Sequence, residues 1–447
     1  MDVDSLNRTA NRRRAEEWAK TLTRAAIRKL ASSFNDNKNC TLGHQLEGSY
    51  NLSFPVHFGD GKRWLIRFPV PGKVMCLEEK LRSEIATMKL VKERTNLKVP
   101  AIIGWGFSGG SHPTGSAFIL MEYLDGQPLG FWKIAELSDE KRSYLLHQLA
   151  DIMLSLSDLR FDRIGSLTLD DENRPVLKNR PLSLAQDGLI QDGVNISKIM
   201  PANRTFSSAD KYAECLSRII RARLEQQRNS IYDVEDGEQK ACARYLFESI
   251  INTGLQGHRG GPFVLIHGDF RRPNILINPN TFDITGVVDW EWARIVPVQL
   301  ALPPFWLTDL DVKGLAESDT GPYFAQCRMF IDCLRQHEVA RPNDERRVLL
   351  SETMENMIAE QSRFWIAMCL VYPYDFDTIY WEQIDPKRRP AEQTEEEQVA
   401  QCLHGFHAEE IGRLVQRKMC DLEDYRRQFY SCCTRTSGGG TPGTSSP

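Results

Sequence analysis

The sequence lacks the marks of several large classes of protein. No stretch approaches the roughly 18–20 consecutive apolar residues that cross a bilayer, and the most apolar one, 364–374, is short and contains Pro373. The N-terminal region holds no apolar core of a secretory signal. No Gly-x-x-x-x-Gly-Lys-Ser/Thr loop occurs, which excludes a P-loop nucleotide hydrolase. We therefore expect no membrane partner.

Charge and cysteine usage also exclude specialised partners. The formal net charge of -4 gives no electrostatic case for binding nucleic acid. The 11 cysteines are odd in number and form no Cys-x-x-Cys pair, which is typical of free thiols in a reducing compartment. Hydrophobic residues at 41% and charged residues at 26% describe an ordinary globular chain. We expect a cytoplasmic protein; its protein partners stay open.

The hydrophobic period changes along the chain. Residues 1–35 carry apolar side chains at helical spacing and predict a helical lead-in. Residues 36–124 then predict strand, strand, helix, strand and strand, at 45–58, 63–68, 77–94, 101–107 and 117–124. Residues 125–430 are mostly helical in pattern, and the low-complexity end predicts disorder over 431–447. The predicted fold class is α+β.

One polar segment, HGDFRRPNILINPNTFDITGVVDWEW at 267–292, carries the chemistry. Asp269 and Asn274 lie close together in a tight polar loop, and Asp289 follows a strand-like run. A carboxylate such as Asp269 can orient an attacking hydroxyl and accept its proton. Asn274 and Asp289 supply hard oxygen ligands suited to Mg²⁺ on phosphates, and Arg271 could neutralise a transferring phosphoryl group. A capped turn is the competing interpretation, and the matched Asp289 argues against it.

The motif His-Gly-Asp-x-x-x-x-Asn, followed by a strand and Asp-Trp, resembles the aminoglycoside phosphotransferase and choline kinase-like family. This family is a branch of the protein-kinase-like fold with many fungal members. The resemblance covers residues 40–310 approximately. It implies a bilobal fold, in which an antiparallel sheet and one helix form a nucleotide-binding N-lobe at 36–124. A larger, mainly helical C-lobe at 125–430 would contain the catalytic, metal and acceptor sites.

The resemblance also implies roles for individual residues. It implies ATP as the phosphoryl donor, Mg²⁺ at Asn274 and Asp289, and Asp269 as the catalytic base. Arg67 stands where the family places a phosphate-binding lysine, and Glu84 stands where its partner carboxylate is found. The remaining nucleotide contacts are expected from the covering loop and the hinge, at Gly48, Met121, Glu122, Tyr123 and Leu124.

Departures from the family pattern keep other functions open. Arginine replaces lysine at position 67, a planar fork in place of a point charge, and the loop around Gly48 lacks the Gly-x-Gly-x-x-Gly pattern. These features favour a pseudokinase, a nucleotide-binding or scaffolding protein without turnover. A further alternative is an atypical protein kinase, but no activation segment ending in Ala-Pro-Glu follows Asp289. We favour transfer of the γ-phosphoryl group of Mg-ATP to a hydroxyl of a small molecule.

Some side chains have a second interpretation at this stage. Arg67 could point to solvent, and Glu84 has Glu78 and Glu79 as neighbouring competitors. Three tryptophans either line an acceptor pocket or pack in the core: Trp290, Trp292 and Trp306. The acceptor itself is left open, because acidic walls in the second-lobe cleft would favour an amine and apolar walls a less polar alcohol.

Overall fold

The computed structural model of the chain describes residues 3–342, 348–405 and 407–437. The first region is a sheet of six antiparallel strands in the order β1-β3-β4-β6-β5, with β2 paired to β3. Its strands are β1 Cys40–Leu42, β2 Leu46–Glu47, β3 Asn51–Phe58, β4 Arg63–Pro69, β5 Ile102–Gly106 and β6 Phe118–Glu122. Its helices are α1 Ser5–Ala19, α2 Arg24–Ser33 and α3 Leu77–Arg94.

The two faces of this sheet are covered by different helices. Phe118 and Leu120 on β6 belong to the small core that α1 and α2 close, whereas Ile119 and Met121 belong to the large core that contains the buried face of α3. This is the two-residue alternation of a strand buried on both sides. Acidic residues in the first turn of α3 and basic residues in its last turn complement the helix dipole.

The second region is mainly helical and contains short paired strands. Its strands are β7 Gln127–Pro128, β8 Arg160–Phe161, β9 Ser166–Leu169, β10 Pro175–Asn179, β11 Phe263–Ile266, β12 Ile275–Ile277, β13 Ile284–Val287 and β14 Arg294–Pro297. Its longer helices are α4 Asp139–Ser157, α5 Leu184–Gln191, α7 Ala209–Gln226, α8 Val234–Glu248, α11 Gly321–Ala340, α12 Leu350–Ala359, α13 Gln361–Val371, α15 Glu395–Leu403 and α16 Ala408–Ser437. The shorter ones are α6 Ile196–Ile199, α9 Ile251–Gly254, α10 Val312–Glu317 and α14 Phe376–Ile379. None of the described helices is long and apolar enough to cross a bilayer.

Two short antiparallel sheets position the polar segment. β11 pairs with β14 and β8, while β12 pairs with β13 and β7. The loop between β11 and β12 carries Asp269 and Asn274, and Asp289 follows β13. The amide of Val288 donates to the carbonyl of Asn274 at 3.0 Å, which joins the loop to the end of β13. Residues distant in sequence are thereby held at one edge.

The structure alters several predicted boundaries. The strand predicted over 45–58 is a hairpin, because Gly48 donates its amide to the Asn51 carbonyl at 2.9 Å and turns the chain between β2 and β3. The lead-in at 1–35 contains two helices, with Thr23 capping the start of the second. The sequence predicts disorder over 431–447, and α16 extends to Ser437. Residues 438–447 lie outside the described part of the chain.

Candidate active site

The loop that carries Asp269 is set by a glycine. Gly268 follows β11 with a φ of +80°, and a Cβ atom at this position would overlap the carbonyl oxygen of Trp292. An L side chain would therefore meet both backbone strain and a backbone collision. Trp306 supports the same loop, since its Nε1 donates to the Phe270 carbonyl at 2.7 Å. The local turn fixes the direction in which Asp269 leaves the sheet.

Asp269 is held by two neighbours in its own loop. Arg271 donates through Nε to Oδ1 at 2.5 Å and through Nη2 to Oδ2 at 2.8 Å. Asn274 donates through Nδ2 to both the Asp269 carbonyl and Oδ2, each at 2.9 Å. Because Nδ2 is engaged twice, Oδ1 is the end of the Asn274 amide that remains for a ligand. The loop thus orients a carboxylate and an amide oxygen together.

Asp289 faces the first region of the fold. It has the left-handed backbone φ of 68° and precedes a turn of 3-10 helix at Trp290–Trp292. Arg67 donates through Nη1 to its Oδ1 at 2.9 Å, while Nη2 of the same guanidinium contacts Glu84. Burial, reinforced by the nearby Glu291 carboxylate, raises the pKa of Asp289. A partly buried carboxylate of this kind gains stability from an added cation.

The structure distinguishes Glu84 from its competitors on α3. Glu78 is paired with Arg82 at 3.0 Å, and Glu79 is paired with Arg180 at 2.8 Å. Glu84 is buried and is the acid of this helix that reaches Arg67. Arg67 is itself buried rather than directed to solvent.

Sequence reasoning missed a second buried ion pair beside the first. Lys80 is 2% exposed and contacts Glu291, which also accepts a hydrogen bond from Nδ2 of Asn51 at 2.8 Å. The Lys80 ammonium lies 5.2 Å from the centre of the Trp292 ring. Lys80 precedes Glu84 by one helical turn, so the i, i+4 spacing was the available signal. We call Arg67, Lys80, Glu84, Asp289 and Glu291 the charge network.

The other predicted nucleotide contacts lie at the edge of this network. Met121 and Glu122 are in β6, and the Glu122 amide donates to the backbone carbonyl of Ala101 at 2.8 Å. The Tyr123 amide donates to the backbone carbonyl of Arg63 at 3.2 Å, whereas the Leu124 amide has no hydrogen-bond partner among the described residues. Gly48 is exposed, and a Cβ there would meet only the Asn51 carbonyl at 3.5 Å. The turn at Gly48 therefore has no steric requirement for glycine.

A cavity of about 550 Å³ opens beside Asp269. The segment from Leu265 to Arg271 forms part of its wall, and the remainder comes from residues as distant as Met153 and Tyr372. Asn274, Asp289, Arg67 and Glu84 do not line it. Asp269 therefore belongs both to the cavity and to the polar loop. The three tryptophans at 290, 292 and 306 are buried in the core instead of lining the cavity.

The residues around Asp289 have the right chemistry for Mg²⁺. Asp289 and Asn274 offer hard oxygen atoms, and Mg²⁺ commonly takes one or two protein oxygens and completes its shell with water and substrate phosphates. No group of three or more histidines, cysteines or acids in the described ranges forms a ready-made metal cage. A cation here would accordingly depend on phosphate oxygens as further ligands.

A two-lobed α+β architecture with this loop defines a protein-kinase-like fold. The model of the phosphotransferase enzyme family, APH, matches residues 45–299, which is more than half of the chain. The chain belongs to this phosphotransferase family. The whole of α1, α2 and β1, and everything after residue 299, lie outside the matched residues.

Individual relatives are distant. Clavilactone A biosynthesis cluster protein Y of Ampulloclitocybe clavipes is 27% identical over 272 residues, covering 58% of this chain and 62% of that protein. The mitochondrial protein Altered inheritance of mitochondria protein 9 of Debaryomyces hansenii is 24% identical over 326 residues, covering 61% of this chain and 51% of that protein. The chain thus spans only half to three-fifths of their length.

Solved structures of similar fold include phosphotransferases. The GDP complex of wild-type aminoglycoside 2'-phosphotransferase-IIIa gives a TM-score of 0.42 at 16% identity, covering 88% of this chain and 97% of that one. The macrolide 2'-phosphotransferase MphH of Brachybacterium faecium gives a TM-score of 0.40 at 15% identity, covering 78% of this chain and 95% of that one.

Proposed function

We propose that this chain transfers the γ-phosphoryl group of Mg-ATP to a hydroxyl of a small molecule. The observation that carries the proposal is the position of Asp269. Asp269 lines the cavity, and its carboxylate accepts a hydrogen bond from Asn274, which lies in the same loop and is joined to the end of β13 next to Asp289. This position supports the proposal, because one residue borders both the cavity and the residues that suit the donor phosphates.

Each side chain then has a specific task. Asp269 orients the acceptor hydroxyl and receives its proton. Asn274 and Asp289 would hold Mg²⁺, which supplies positive charge to the donor phosphates. The planar guanidinium of Arg67 can shift from the Glu84 and Asp289 carboxylates to phosphate oxygens. Arg271 lines the cavity and can follow the transferring phosphoryl group.

The chain offers little room for a protein substrate site of the protein-kinase type. β14 begins at Arg294, so only the short helical turn at Trp290–Trp292 separates Asp289 from the next strand. An activation segment would have to lie there. The cavity beside Asp269 has instead the volume of a small-molecule site, since such sites enclose roughly 300–1,000 Å³. A small acceptor fits these features better than a polypeptide.

The test compares isosteric variants that lose one charge. Asp269→Asn and Asp289→Asn are assayed with Asp171→Asn, an exposed turn residue, as the control. Transfer of label from [γ-³²P]ATP with Mg²⁺ is measured into a small-molecule extract and into casein. We expect label in the small molecules, and a loss on the order of 10³-fold for Asp269→Asn because general-base catalysis contributes roughly 10²–10⁴-fold.

The same assay separates the alternatives. Full transfer by folded Asp269→Asn would remove the proposed role of this carboxylate. Label in casein would favour an atypical protein kinase. A pseudokinase would show stabilisation of the wild-type protein by Mg-ATP in thermal unfolding, with no label transferred to either pool.

A further inference from the structure

The cavity beside Asp269 is walled mainly by apolar side chains. Its lining includes Met153, Leu156, Leu300, Leu302, Phe305 and Val371. Apolar lining with a few convergent polar groups is typical of sites for small organic ligands. The wall therefore favours an acceptor whose skeleton is largely hydrocarbon or aromatic.

The charged groups of the lining do not favour a polyamine. Three acids line the cavity, against four basic residues: Asp269, Asp311 and Asp375, and Arg8, Arg271, Arg294 and Lys313. The acids are also engaged. Asp269 is paired with Arg271, Asp311 caps α10 by accepting from the Gly314 amide at 2.7 Å, and Asp375 has a partner elsewhere. An acceptor with several ammonium groups would find no free carboxylate.

One cation of the lining stands apart. Arg294 on β14 is 5% exposed, yet no carboxylate lies within ion-pair distance of it in the part of the chain that the structure describes. Its Nη1 donates to the Trp292 carbonyl at 3.2 Å, and its buried Nε has no hydrogen-bond partner. Burying a cation without a counter-ion is unfavourable, so a ligand that supplies the missing anion is stabilised here.

Arg294 and Asp269 both line this cavity, and the Arg294 guanidinium lies beside Gly268, the residue that precedes Asp269. In the proposed function Asp269 takes the acceptor hydroxyl, and Arg294 faces no carboxylate among the residues that the structure describes. Guanidinium groups bind carboxylates through paired N–H donors. Tyr372, which lies near both Arg294 and Asp269, contributes a further phenol to the same wall.

We propose that the acceptor is a largely apolar hydroxy acid, with its carboxylate on Arg294 and its hydroxyl at Asp269. This proposal rests on the function proposed above. Transfer forms an oxygen–phosphorus bond at the acceptor hydroxyl and breaks the bond between the γ-phosphorus and the bridging oxygen of ADP. The hydroxyl proton passes to Asp269, and the product is a phosphate monoester that keeps its carboxylate.

The test measures binding before it measures chemistry. Wild-type protein is titrated calorimetrically, without ATP, with a panel of aliphatic and aromatic hydroxy acids, the matching methyl esters, and kanamycin. We expect at least one acid to bind about tenfold or more tightly than its ester, because only the acid can pair with Arg294. Kanamycin should bind more weakly than that acid.

Variants test whether Arg294 causes the tighter binding of the acid than of its ester. Arg294→Met should abolish the difference between acid and ester while leaving the affinity for the ester unchanged, and Arg294→Lys should restore part of it. Lys313→Met, which removes an exposed cation from the same lining, should keep the full difference. Equal affinity for acids and esters in the wild type, no binding of any acid, or tighter binding of kanamycin overturns the proposal.

Transfer assays distinguish the two levels of inference. The acid that binds is offered with labelled Mg-ATP to the wild type and to Asp269→Asn. A retained acid preference without transfer would reject the proposed function and leave the ligand class standing. Transfer to extract components that depends on Asp269, without any acid preference, would reject the ligand class alone.

Discussion

The two regions on either side of Asp269 differ in whether their buried cations have carboxylate partners. In the charge network, Arg67 meets Glu84 and Asp289, and Lys80 meets Glu291. In the cavity, Arg294 is buried to a similar degree but faces no acid in the described residues. In the network both cations already have carboxylate partners, so they keep their positions without a ligand. An unpaired cation requires a ligand before its burial is compensated.

The difference also separates stability from recognition. Removing one member of a buried ion pair leaves its partner charged and unpaired, which costs roughly 3–5 kcal/mol. Removing a buried charge that has no partner leaves nothing unpaired. Substitutions that remove a cation from the network should therefore damage the fold, and removal of the cation in the cavity should damage binding.

The largest effect is expected where the backbone joins the two sides. Gly268→Ala should lower the free energy of unfolding by more than about 4 kcal/mol, in the range of exceptional single substitutions, because the added methyl group collides with the Trp292 carbonyl. Gly61→Ala is the matched control, since Gly61 has a φ of +85° and nothing within 4 Å of its added Cβ. Urea unfolding should show only about 1–2 kcal/mol of loss there. Equal losses in both variants would assign the effect to backbone strain alone.

Lys80→Met should be the next most severe change. It leaves the buried Glu291 carboxylate with the amide of Asn51 as its hydrogen-bond donor but without its ion-pair partner, so we expect about 3–5 kcal/mol of destabilisation. The double variant Lys80→Met/Glu291→Gln should recover part of this loss, because both charges are then absent. Arg294→Met should change stability far less. A comparable loss for Arg294→Met in urea unfolding would contradict the contrast between the two sides.

How far the sequence could predict these regions depends on how local each feature is. The loop from His267 to Asn274 and the following Asp289 are local patterns, so the sequence located them. The bounds of α3 were also predicted as found, since its apolar stripe is continuous. The choice of Glu84 over Glu78 and Glu79 required the helix to be placed against β4, and only the resemblance supplied that placement.

The remainder depends on contacts across long stretches of chain. Lys80 and Glu291 are more than two hundred residues apart, and nothing in the sequence singles out Lys80 as the partner of Glu291. Arg294 resembles any strand arginine until the absence of a nearby acid is visible. The cavity draws its wall from α4, the loop after β11 and α13, so its apolar character has no counterpart in any single segment.

His267 links the two sides and should make stability depend on pH. It lines the cavity, and its Nε2 donates to the Val288 carbonyl at 3.0 Å. Burial lowers the pKa of His267 from 6.5 to about 4. The folded state therefore binds this proton less readily than the unfolded chain, and the associated stability is complete above pH 6.5 and lost as the pH falls toward 4. The loss amounts to about 3 kcal/mol.

The measurement compares unfolding free energies of the wild type and His267→Gln between pH 7 and pH 4. The wild type should lose more stability on acidification, because the variant has no imidazole to protonate. Parallel curves would show that carboxylates account for the acid dependence.

The smallest effect is expected from replacing the planar guanidinium at position 67 by an ammonium group. Arg67 divides its two terminal nitrogens between Glu84 and Asp289, and a single lysine ammonium cannot reproduce that span. Arg67→Lys should therefore keep the fold but weaken Mg-ATP binding about tenfold, or about 1.4 kcal/mol. Isothermal titration measures this without an acceptor, and Arg82→Lys on α3 should bind Mg-ATP as the wild type does. Unchanged affinity in Arg67→Lys would mean that the fork is not used for phosphates, so that the charge network would serve the fold while recognition resides in the cavity.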